Sequence, residues 1–318
     1  MKTAIVSKYG GPEVIQIIET AKPSPKPNEV LVKIKAFGVT SGDVRIRSAK
    51  FPKGFAIPGK LALGIFGPRT KVLGSEFSGV VEEIGNEVKD FKIGDKVIGF
   101  RVFNINAEYA CIKENAAITV MPENLSFEEA ASIPFGASTA LYFLNMANLK
   151  PDESILINGA SGSVGSSTVQ IAQAMGAITT GVCSSPNSEF VKSLGAVETI
   201  DYKTVDLKTI SAKYDVIFDT VGNLNFDEYK HLLNTGGRFL QAVATFGELF
   251  AKKDREDGKR FLTGTAPEKK EHLKTIVEMI LQGKLKPCVD KVFDFQDIAK
   301  AQGYVETGRK RGGVVVKV

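Results

Sequence analysis

Cysteine and histidine are scarce in this chain of 318 residues. The three cysteines, Cys111, Cys183 and Cys288, are far apart and odd in number, which argues against a disulfide framework and favours a reducing cytoplasm. The two histidines, His231 and His272, come with no nucleophile-elbow motif. A Ser-His-Asp hydrolase and a secreted disulfide scaffold are therefore not expected.

Long apolar runs are also missing. No stretch approaches the roughly 18 apolar residues of a membrane span, and the first eight residues turn polar too early for a signal peptide. The net charge of +5 comes from 41 basic and 36 acidic residues mixed along the chain. We therefore expect a soluble protein that tolerates anionic ligands, with neither a membrane span nor a nucleic-acid partner.

Short β-like runs separated by glycine turns fill the first hundred residues. Residues 30–36 alternate between apolar and polar, and residues 77–84 and 95–98 are further strand candidates. Such repeated short strands favour a small barrel or a curled sheet.

Residues 51–73 have a different composition, with frequent proline and glycine, and we predict a long loop there. Phe51, Phe55 and Phe66 in this segment have two interpretations, a local core or an aromatic wall over a flat substrate.

Alternating strands and helices follow from about residue 126. Ser126 and Glu129 form a capping-box pattern, and Pro134 is placed to start the next helix. Predicted strands lie at 178–183, 215–219 and 238–243, with predicted helices at 188–194 and 269–282. This alternation indicates parallel βαβ units and a doubly wound sheet.

The most informative motif is a glycine turn at residues 160–165, Ala-Ser-Gly-Ser-Val-Gly. It lies between a predicted strand at 154–158 and a predicted helix at 166–176. A strand, a glycine turn and a helix in this order build a dinucleotide diphosphate site, with the helix N-terminus facing the phosphates. Ala160 stands where the fingerprint has its first glycine. The predicted contacts of the diphosphate are Ala160, Gly162, Ser163, Val164 and Gly165.

The end of the second predicted strand favours NADPH over NADH. An NAD site carries an acidic residue there to hold the ribose hydroxyls, but residues 182–187 contain none. Ser184 and Ser185 can donate hydrogen bonds to a 2′-phosphate, and Lys192 or Lys203 can supply positive charge. The alternative is a polar turn with solvated lysines.

Motifs over the full length resemble the medium-chain dehydrogenase/reductase superfamily, and most of all its zinc-independent quinone oxidoreductase and enone reductase branch. The residues that carry the resemblance include 9–12, 27–33, 38–43, 74–81, 92–97, 160–165, 192–196, 201–202, 215–222 and the terminal Gly-Val-Val-Val. The resemblance implies an α/β protein with a GroES-like β-barrel catalytic domain at 1–118 and 263–318. It also implies a Rossmann NADP-binding domain with a doubly wound parallel sheet at 119–262, the active site between the two, and a homodimer.

The same resemblance decides against a metal. Zinc-dependent relatives place a cysteine near Ser41 and a His-Glu pair near Ser75 and Glu76, whereas this chain has serine at both of the first two positions. Hydroxyls are poor zinc ligands. We therefore expect hydride transfer to an electron-poor acceptor, a quinone or an α,β-unsaturated carbonyl, because conjugation spreads the developing charge without a Lewis acid.

Several site residues follow from the resemblance. It places Thr40, Ser41 and Asp43 beside the nicotinamide, although Asp43 has the alternative of capping the next turn. Thr139 matches a nicotinamide contact, with a bond to its own helix backbone as the alternative. Tyr142 and Tyr109 are candidate proton donors, with packing as their alternative role.

The remaining predicted cofactor contacts are Tyr202, near the adenosine phosphate or packed at the sheet end, and Gly222 and Val243 at strand ends. Two other functions stay open. One is an enoyl-thioester reductase, and the other is a low-turnover sensor or structural protein that binds NADPH.

Overall fold

The computed structural model of the protein describes residues 1–249 and 258–318. Two large sheets dominate it, together with a hairpin in which β1 (Lys2–Val6) pairs antiparallel with β2 (Ile15–Glu19).

The first large sheet uses both ends of the chain. Its strands are β3 (Glu29–Val39), β4 (Glu76–Ile84), β5 (Lys96–Phe100), β6 (Tyr109–Lys113), β7 (Ile118–Val120), β14 (Val289–Asp294) and β15 (Gly313–Lys317). They lie in the order β14-β15-β3-β4-β5-β7, with β6 beside β3. The strand predicted at 30–36 is the centre of this sheet, and Val30, Val32 and Ile34 are buried in its core.

The second large sheet is parallel throughout. Its strands are β8 (Ser154–Asn158), β9 (Ile178–Cys183), β10 (Glu198–Asp201), β11 (Tyr214–Asp219), β12 (Leu233–Gln241) and β13 (Arg260–Thr263). Their order, β10-β9-β8-β11-β12-β13, reads 3-2-1-4-5-6 along the chain. This is the doubly wound order of dinucleotide-binding sheets, with a topological switch point between β8 and β11. The predicted fold class is confirmed.

Ten α-helices accompany the sheets in the described ranges. They are α1 (Ser41–Ser48), α2 (Ala56–Leu63), α3 (Phe127–Ala131), α4 (Pro134–Ala147), α5 (Ser163–Ala174), α6 (Ser188–Ser193), α7 (Phe226–Tyr229), α8 (Phe246–Leu249), α9 (Lys270–Leu281) and α10 (Ile298–Glu306). The predicted capping box of Ser126 and Glu129 starts α3, and α4 begins at Pro134 as predicted. Within the described ranges, no helix is long and apolar enough to cross a bilayer.

The prediction of a long loop at 51–73 is wrong in its middle, where α2 forms. Pro58 lies in the first turn of α2, where its missing N–H removes no intrahelical hydrogen bond. Phe55 packs edge to face on Phe246 at 5.3 Å between ring centroids. Phe66 is 89% exposed and therefore belongs to no core.

Helix α9 packs on α4, and its Ile276 and Ile280 join the core that lies beside the parallel sheet. The predicted division gives this helix to the barrel domain because it follows residue 263. The domain boundaries stay a prediction.

Candidate active site

The glycine turn joins β8 to α5 and leaves the start of that helix open. Gly162 is the N-cap of α5, and no side chain caps the helix. A Cβ built on Gly162 would meet only the carbonyl oxygen of Gly159, at 3.5 Å. A Cβ on Gly165 would lie 2.1 Å from that oxygen, so only glycine lets α5 approach the strand end here. The free N–H groups and the positive end of the helix dipole fit a diphosphate.

Helix α5 begins at Ser163, three residues before the predicted start. Sequence reasoning also missed Gly159, which has a φ of +79° and makes the sharp turn out of β8. The N–H of Ala160 donates to the carbonyl oxygen of Val182 at 3.0 Å, and Ala160 is fully buried. Because Ala160 is engaged in this way, the diphosphate contacts that we retain are Gly162, Ser163, Val164 and Gly165. The regular spacing Gly159-x-x-Gly162-x-x-Gly165 is the sequence signal that could have identified Gly159 as part of this turn.

The C-terminal segment connects this turn to the first large sheet, which belongs to the barrel domain. The N–H of Gly312 donates to the carbonyl oxygen of Ser161 at 2.8 Å, and Nζ of Lys310 donates to the carbonyl oxygen of Gly312 at 2.7 Å. Gly313 then begins β15, which pairs with β3. The glycine turn therefore lies beside the strand whose end leads into Thr40.

Thr40 and Asp43 form a buried capping box at the start of α1. The N–H and the hydroxyl of Thr40 both donate to Oδ2 of Asp43 at 2.8 Å, and the Asp43 N–H donates back to Thr40 Oγ1 at 3.2 Å. Oδ1 of Asp43 accepts the N–H of Gly74 at 3.1 Å. The capping interpretation of Asp43 is confirmed, and its chemical role stays a prediction.

Burial raises the pKa of Asp43, opposed by the hydrogen bonds from Thr40 and Gly74. Since the single hydroxyl proton of Thr40 is given to Asp43, the hydroxyl left for a ligand is that of Ser41. Ser41 is exposed at the first position of α1.

Thr139 is buried on α4, and its hydroxyl donates to the carbonyl oxygen of Phe135, four residues earlier, at 2.8 Å. This is the alternative bond anticipated from the sequence, and it leaves the hydroxyl oxygen able only to accept. The nicotinamide contact of Thr139 stays a prediction.

The two tyrosines considered as proton donors lie in packing environments. Tyr142 packs edge to face on Phe143 at 5.3 Å, and its hydroxyl is close to Gly264. Tyr109 lies on β6 under the ammonium group of Lys22, 4.8 Å from the ring centroid. These contacts favour the packing role, so we do not retain Tyr142 as a proton donor.

Sequence reasoning did not single out the environment of Glu76, which is buried at the start of β4, beside helix α4. Its Oε2 accepts the N–H of Phe135, near the N-terminus of α4, at 2.8 Å. A Cβ on Gly38 would overlap its carboxylate, so glycine at that position makes room for Glu76. Burial raises the pKa of Glu76 to about 8, opposed by the Phe135 N–H and the charge of Lys310. Burial likewise lowers the pKa of Lys310 to about 8, opposed by the carboxylates of Glu76 and Asp290.

The Glu76→Gln variant is expected to flatten part of the pH dependence of stability. The folded chain keeps a proton on Glu76 that the unfolded chain releases near pH 4.5. Folded-state stability therefore falls as the pH rises from about 4.5 to 8, by up to about 1.4 kcal/mol per pH unit. Glutamine keeps the acceptor oxygen for Phe135 and removes the titration.

Urea unfolding of wild type and Glu76→Gln at pH 5.5, 6.5 and 7.5 measures this effect. With each increase in pH, the free energy of unfolding of the variant should rise relative to that of the wild type. The exposed Glu123→Gln is the control, and parallel pH profiles for wild type and Glu76→Gln would refute the argument.

The adenosine end of the site contains a carboxylate that the sequence did not place there. Asp201, at the end of β10, accepts the hydroxyl of Ser185 and also its N–H, the latter at 3.2 Å. The hydrogen bond to Ser185 lowers the pKa of Asp201. The parallel register puts Asp201 opposite Cys183, next to the serines. A parallel partner so far along the chain leaves no local signal.

The other predicted adenosine contacts lie near this point. Lys192 is exposed and pairs with Glu189 at 3.4 Å. The N–H of Lys203 donates to Oδ1 of Asp201 at 2.9 Å. Tyr202 is 58% exposed, so it does not pack at the sheet end and its ring is open to a ligand.

The carboxyl ends of β11 and β12 form the remaining wall. Fully buried Asp219 accepts the N–H groups of Val221 and Gly222, both at 3.0 Å, and so fixes the loop after β11. A Cβ on Gly222 would lie 2.6 Å from Cβ of Val243. The structure therefore brings these two predicted cofactor contacts together at the edge of the sheet where nucleotides bind.

Two family models match this chain. "Alcohol dehydrogenase GroES-like domain" matches residues 26–138, and "Zinc-binding dehydrogenase" matches residues 194–316. The residues here do not fit a zinc ion, because Ser75 offers only a hydroxyl, 3.4 Å from Thr40 Oγ1, and Ser41 offers another. In the part of the chain that the structure describes, no three His, Cys, Asp or Glu side chains are grouped to hold a metal.

The matches to relatives and to solved structures cover nearly the whole chain. The chain is 32% identical to a 2-methylene-furan-3-one reductase of Solanum lycopersicum, over 99% of this chain and 79% of that protein. It is 30% identical, with the same coverage, to a chloroplastic NADPH-dependent alkenal/one oxidoreductase of Arabidopsis thaliana. The quinone oxidoreductase of Coxiella burnetii superposes with a TM-score of 0.87 at 29% identity, covering 100% of this chain and 99% of that one. The Escherichia coli quinone oxidoreductase complexed with NADPH gives 0.83 at 25% identity, covering both chains fully. The chain belongs to the medium-chain dehydrogenase/reductase superfamily, in its quinone and enone oxidoreductase branch.

Proposed function

We propose that this protein transfers a hydride from NADPH to a quinone or an α,β-unsaturated carbonyl without a metal ion. The observation that carries the proposal is the uncapped N-terminus of α5 at Gly162, held beside the barrel by the bond from Gly312 to Ser161. Two relatives support the choice of cofactor. One is named an NADPH-dependent alkenal/one oxidoreductase, and the other is a quinone oxidoreductase solved in complex with NADPH.

In this proposal each part of the cleft has one task. The N–H groups of Ser163, Val164 and Gly165 hold the diphosphate, and Gly162 lets it approach. Ser184 and Tyr202 receive the adenosine end, whereas Ser185 donates both its N–H and its hydroxyl to Asp201. Gly222 and Val243 flank the middle of the cofactor. When bound, NADPH supplies the hydride through its nicotinamide.

The barrel side stabilises the product charge. Ser41 presents an exposed hydroxyl at the positive end of α1, where it can donate to a developing enolate or hydroquinone oxygen. Asp43 fixes that helix start by its bonds to Thr40 and Gly74. In our proposal the second proton comes from solvent water, because Tyr142 packs edge to face on Phe143.

NADPH consumption with three acceptors tests the proposal. We expect turnover with a quinone or an alkenal, at a rate that a chelator leaves unchanged and that Ser41→Ala lowers. Turnover with a crotonyl thioester alone would favour an enoyl-thioester reductase. Binding of NADPH with no acceptor reduced would favour a sensor.

Oligomeric state and location are proposed separately. A homodimer is proposed by analogy with relatives and is checked by sedimentation velocity. A cytoplasmic location is proposed from the three free cysteines, and fractionation of cells tests it. Relatives named as chloroplastic and as mitochondrial are each 30% identical to this chain.

The Asp201→Asn variant is expected to shift cofactor preference further toward NADPH. In our proposal the 2′-phosphate approaches Ser184, and the carboxylate of Asp201, which holds both donors of the neighbouring Ser185, repels it. One such repulsion across a solvated distance of about 4 Å is worth about 1 kcal/mol, or about fivefold in Kd.

The measurement is the ratio of the dissociation constants for NADH and NADPH. Asp206→Asn, in the loop that follows β10, is the matched control for loss of one negative charge. An equal change for both cofactors in Asp201→Asn would contradict the placement of the phosphate.

A further inference from the structure

An exposed apolar surface lies on α2 and the turn after it. We call it the apolar tip, and its members are Ile57, Leu61, Ile65 and Phe66, which are 76%, 57%, 57% and 89% exposed. Four large apolar side chains within ten residues are all exposed to water, and clustered exposed apolar surface of this kind marks an interaction site.

The apolar tip lies in a strongly basic part of the chain. Between residues 44 and 75 there are seven basic residues and no acidic one. Four exposed cations lie in the same segment, Lys53, Lys60, Arg69 and Lys71, and exposed Lys8 lies beside Gly67, the residue after Phe66. Within residues 1–249 and 258–318, none of these five forms a salt bridge. The surface therefore combines apolar side chains with unneutralised positive charge.

The tip is held firmly in this exposed position. The hydroxyl of Tyr9 donates to the carbonyl oxygen of Gly64 at 2.7 Å. The N–H of Arg69 donates to the carbonyl oxygen of Leu63 at 2.6 Å, and its guanidinium to that of Leu61 at 3.1 Å. These bonds use backbone groups and leave the apolar side chains pointing outward.

We propose that the apolar tip docks on the surface of an anionic lipid bilayer. Apolar side chains flanked by lysine and arginine match the boundary between acyl chains and acidic headgroups. A second copy of this chain is a poorer occupant, because a twofold contact through the tip would bring two basic surfaces together.

The apolar tip lies near the proposed cofactor site, so a bilayer bound to the tip would also lie near that site. Phe55, just before α2, packs on Phe246, three residues after Val243 in the loop that flanks the proposed cofactor site. The N–H of Phe246 also donates to the carbonyl oxygen of Lys53 at 3.0 Å. A bilayer under the tip therefore borders the cleft, and an acceptor dissolved in lipid reaches it without crossing bulk water.

Vesicle co-sedimentation tests the docking independently of any turnover. Wild type should bind vesicles of phosphatidylcholine with phosphatidylglycerol, bind phosphatidylcholine alone much more weakly, and be released by high salt. Each basic residue near an anionic surface contributes about fivefold to partitioning. The triple variant Lys53→Gln, Lys60→Gln, Lys71→Gln should therefore bind about a hundredfold more weakly, and Ile57→Ser with Phe66→Ser should bind at least about tenfold more weakly.

Matched controls carry the same changes at exposed positions outside the tip. They are Lys92→Gln, Lys213→Gln, Lys284→Gln for charge, and Ile93→Ser with Val197→Ser for apolar area. Circular dichroism and the dissociation constant for NADPH should stay unchanged in every variant. Equal binding to neutral and anionic vesicles, or equal losses in tip and control variants, would overturn the proposal. So would a wild-type dimer that Ile57→Ser with Phe66→Ser converts to monomers and that binds no vesicles.

Discussion

Replacing Gly162 by alanine is expected to weaken NADPH binding about ten- to hundredfold while leaving the melting temperature unchanged. The backbone of Gly162, with φ −77° and ψ 176°, suits alanine, and the added methyl group would meet only the Gly159 oxygen at 3.5 Å. That methyl group would project into the open space before α5, where the diphosphate approaches. Losing one charge-assisted hydrogen bond costs about 1.5–3 kcal/mol, which is about ten- to hundredfold in Kd.

Titration calorimetry with NADPH and a thermal scan measure the two quantities separately. Gly303→Ala is the control for a tolerated methyl group, because a Cβ added at this position inside α10 would have its nearest neighbour atom at 3.4 Å. Gly165→Ala should lose both stability and binding, because its Cβ would overlap the Gly159 oxygen. An affinity of Gly162→Ala within twofold of the wild type would mean that the diphosphate binds elsewhere.

The four inner strands of the parallel sheet could be predicted from the sequence because they are largely buried on both faces, whereas the edge strands β10 and β13 were not predicted. Such strands read as short continuous apolar runs bounded by glycine or polar turns. The strands at Ser154–Asn158 and Ile178–Cys183 have the predicted bounds, and the capping box at Ser126 was a local signal that tertiary structure did not override.

Local signals failed where two segments meet across the fold. Asp201 reaches Ser185 only through the pairing of β10 with β9, and Glu76 reaches Phe135 only through the packing of β4 on α4. Helix α2 was missed because Pro58 and Gly59 argue against a helix, although proline in the first turn costs no hydrogen bond. The dinucleotide fingerprint has its first glycine position at Ala160, so it gave no indication of Gly159, one residue earlier.

Arg47 supports the site in a way that the sequence did not indicate, because it is one of two arginines in α1 and nothing in the pattern marked it as the buried one. In the structure its side chain is fully buried. The guanidinium donates to Oε1 of Gln302 at 2.7 Å, to the carbonyl oxygen of Gly10 at 2.6 Å and to Oε2 of Glu306 at 2.6 Å. These three bonds tie α1, and with it Ser41, to α10 and to the N-terminal segment.

The Arg47→Ala variant is therefore expected to lower the free energy of unfolding by about 3–5 kcal/mol, because it leaves a cavity and removes the partner of buried polar groups. Lys50→Ala is the matched control, since Lys50 pairs with the same Glu306 carboxylate at 2.8 Å from an exposed position, and such a pair contributes about 0–1 kcal/mol. Urea unfolding of both variants gives the comparison. Equal losses would show that the buried bonds add nothing beyond an exposed ion pair. A large loss in Arg47→Ala alone would show that the stability of the fold around α1, the helix that presents the hydroxyl we assign to the substrate, depends on a fully buried side chain.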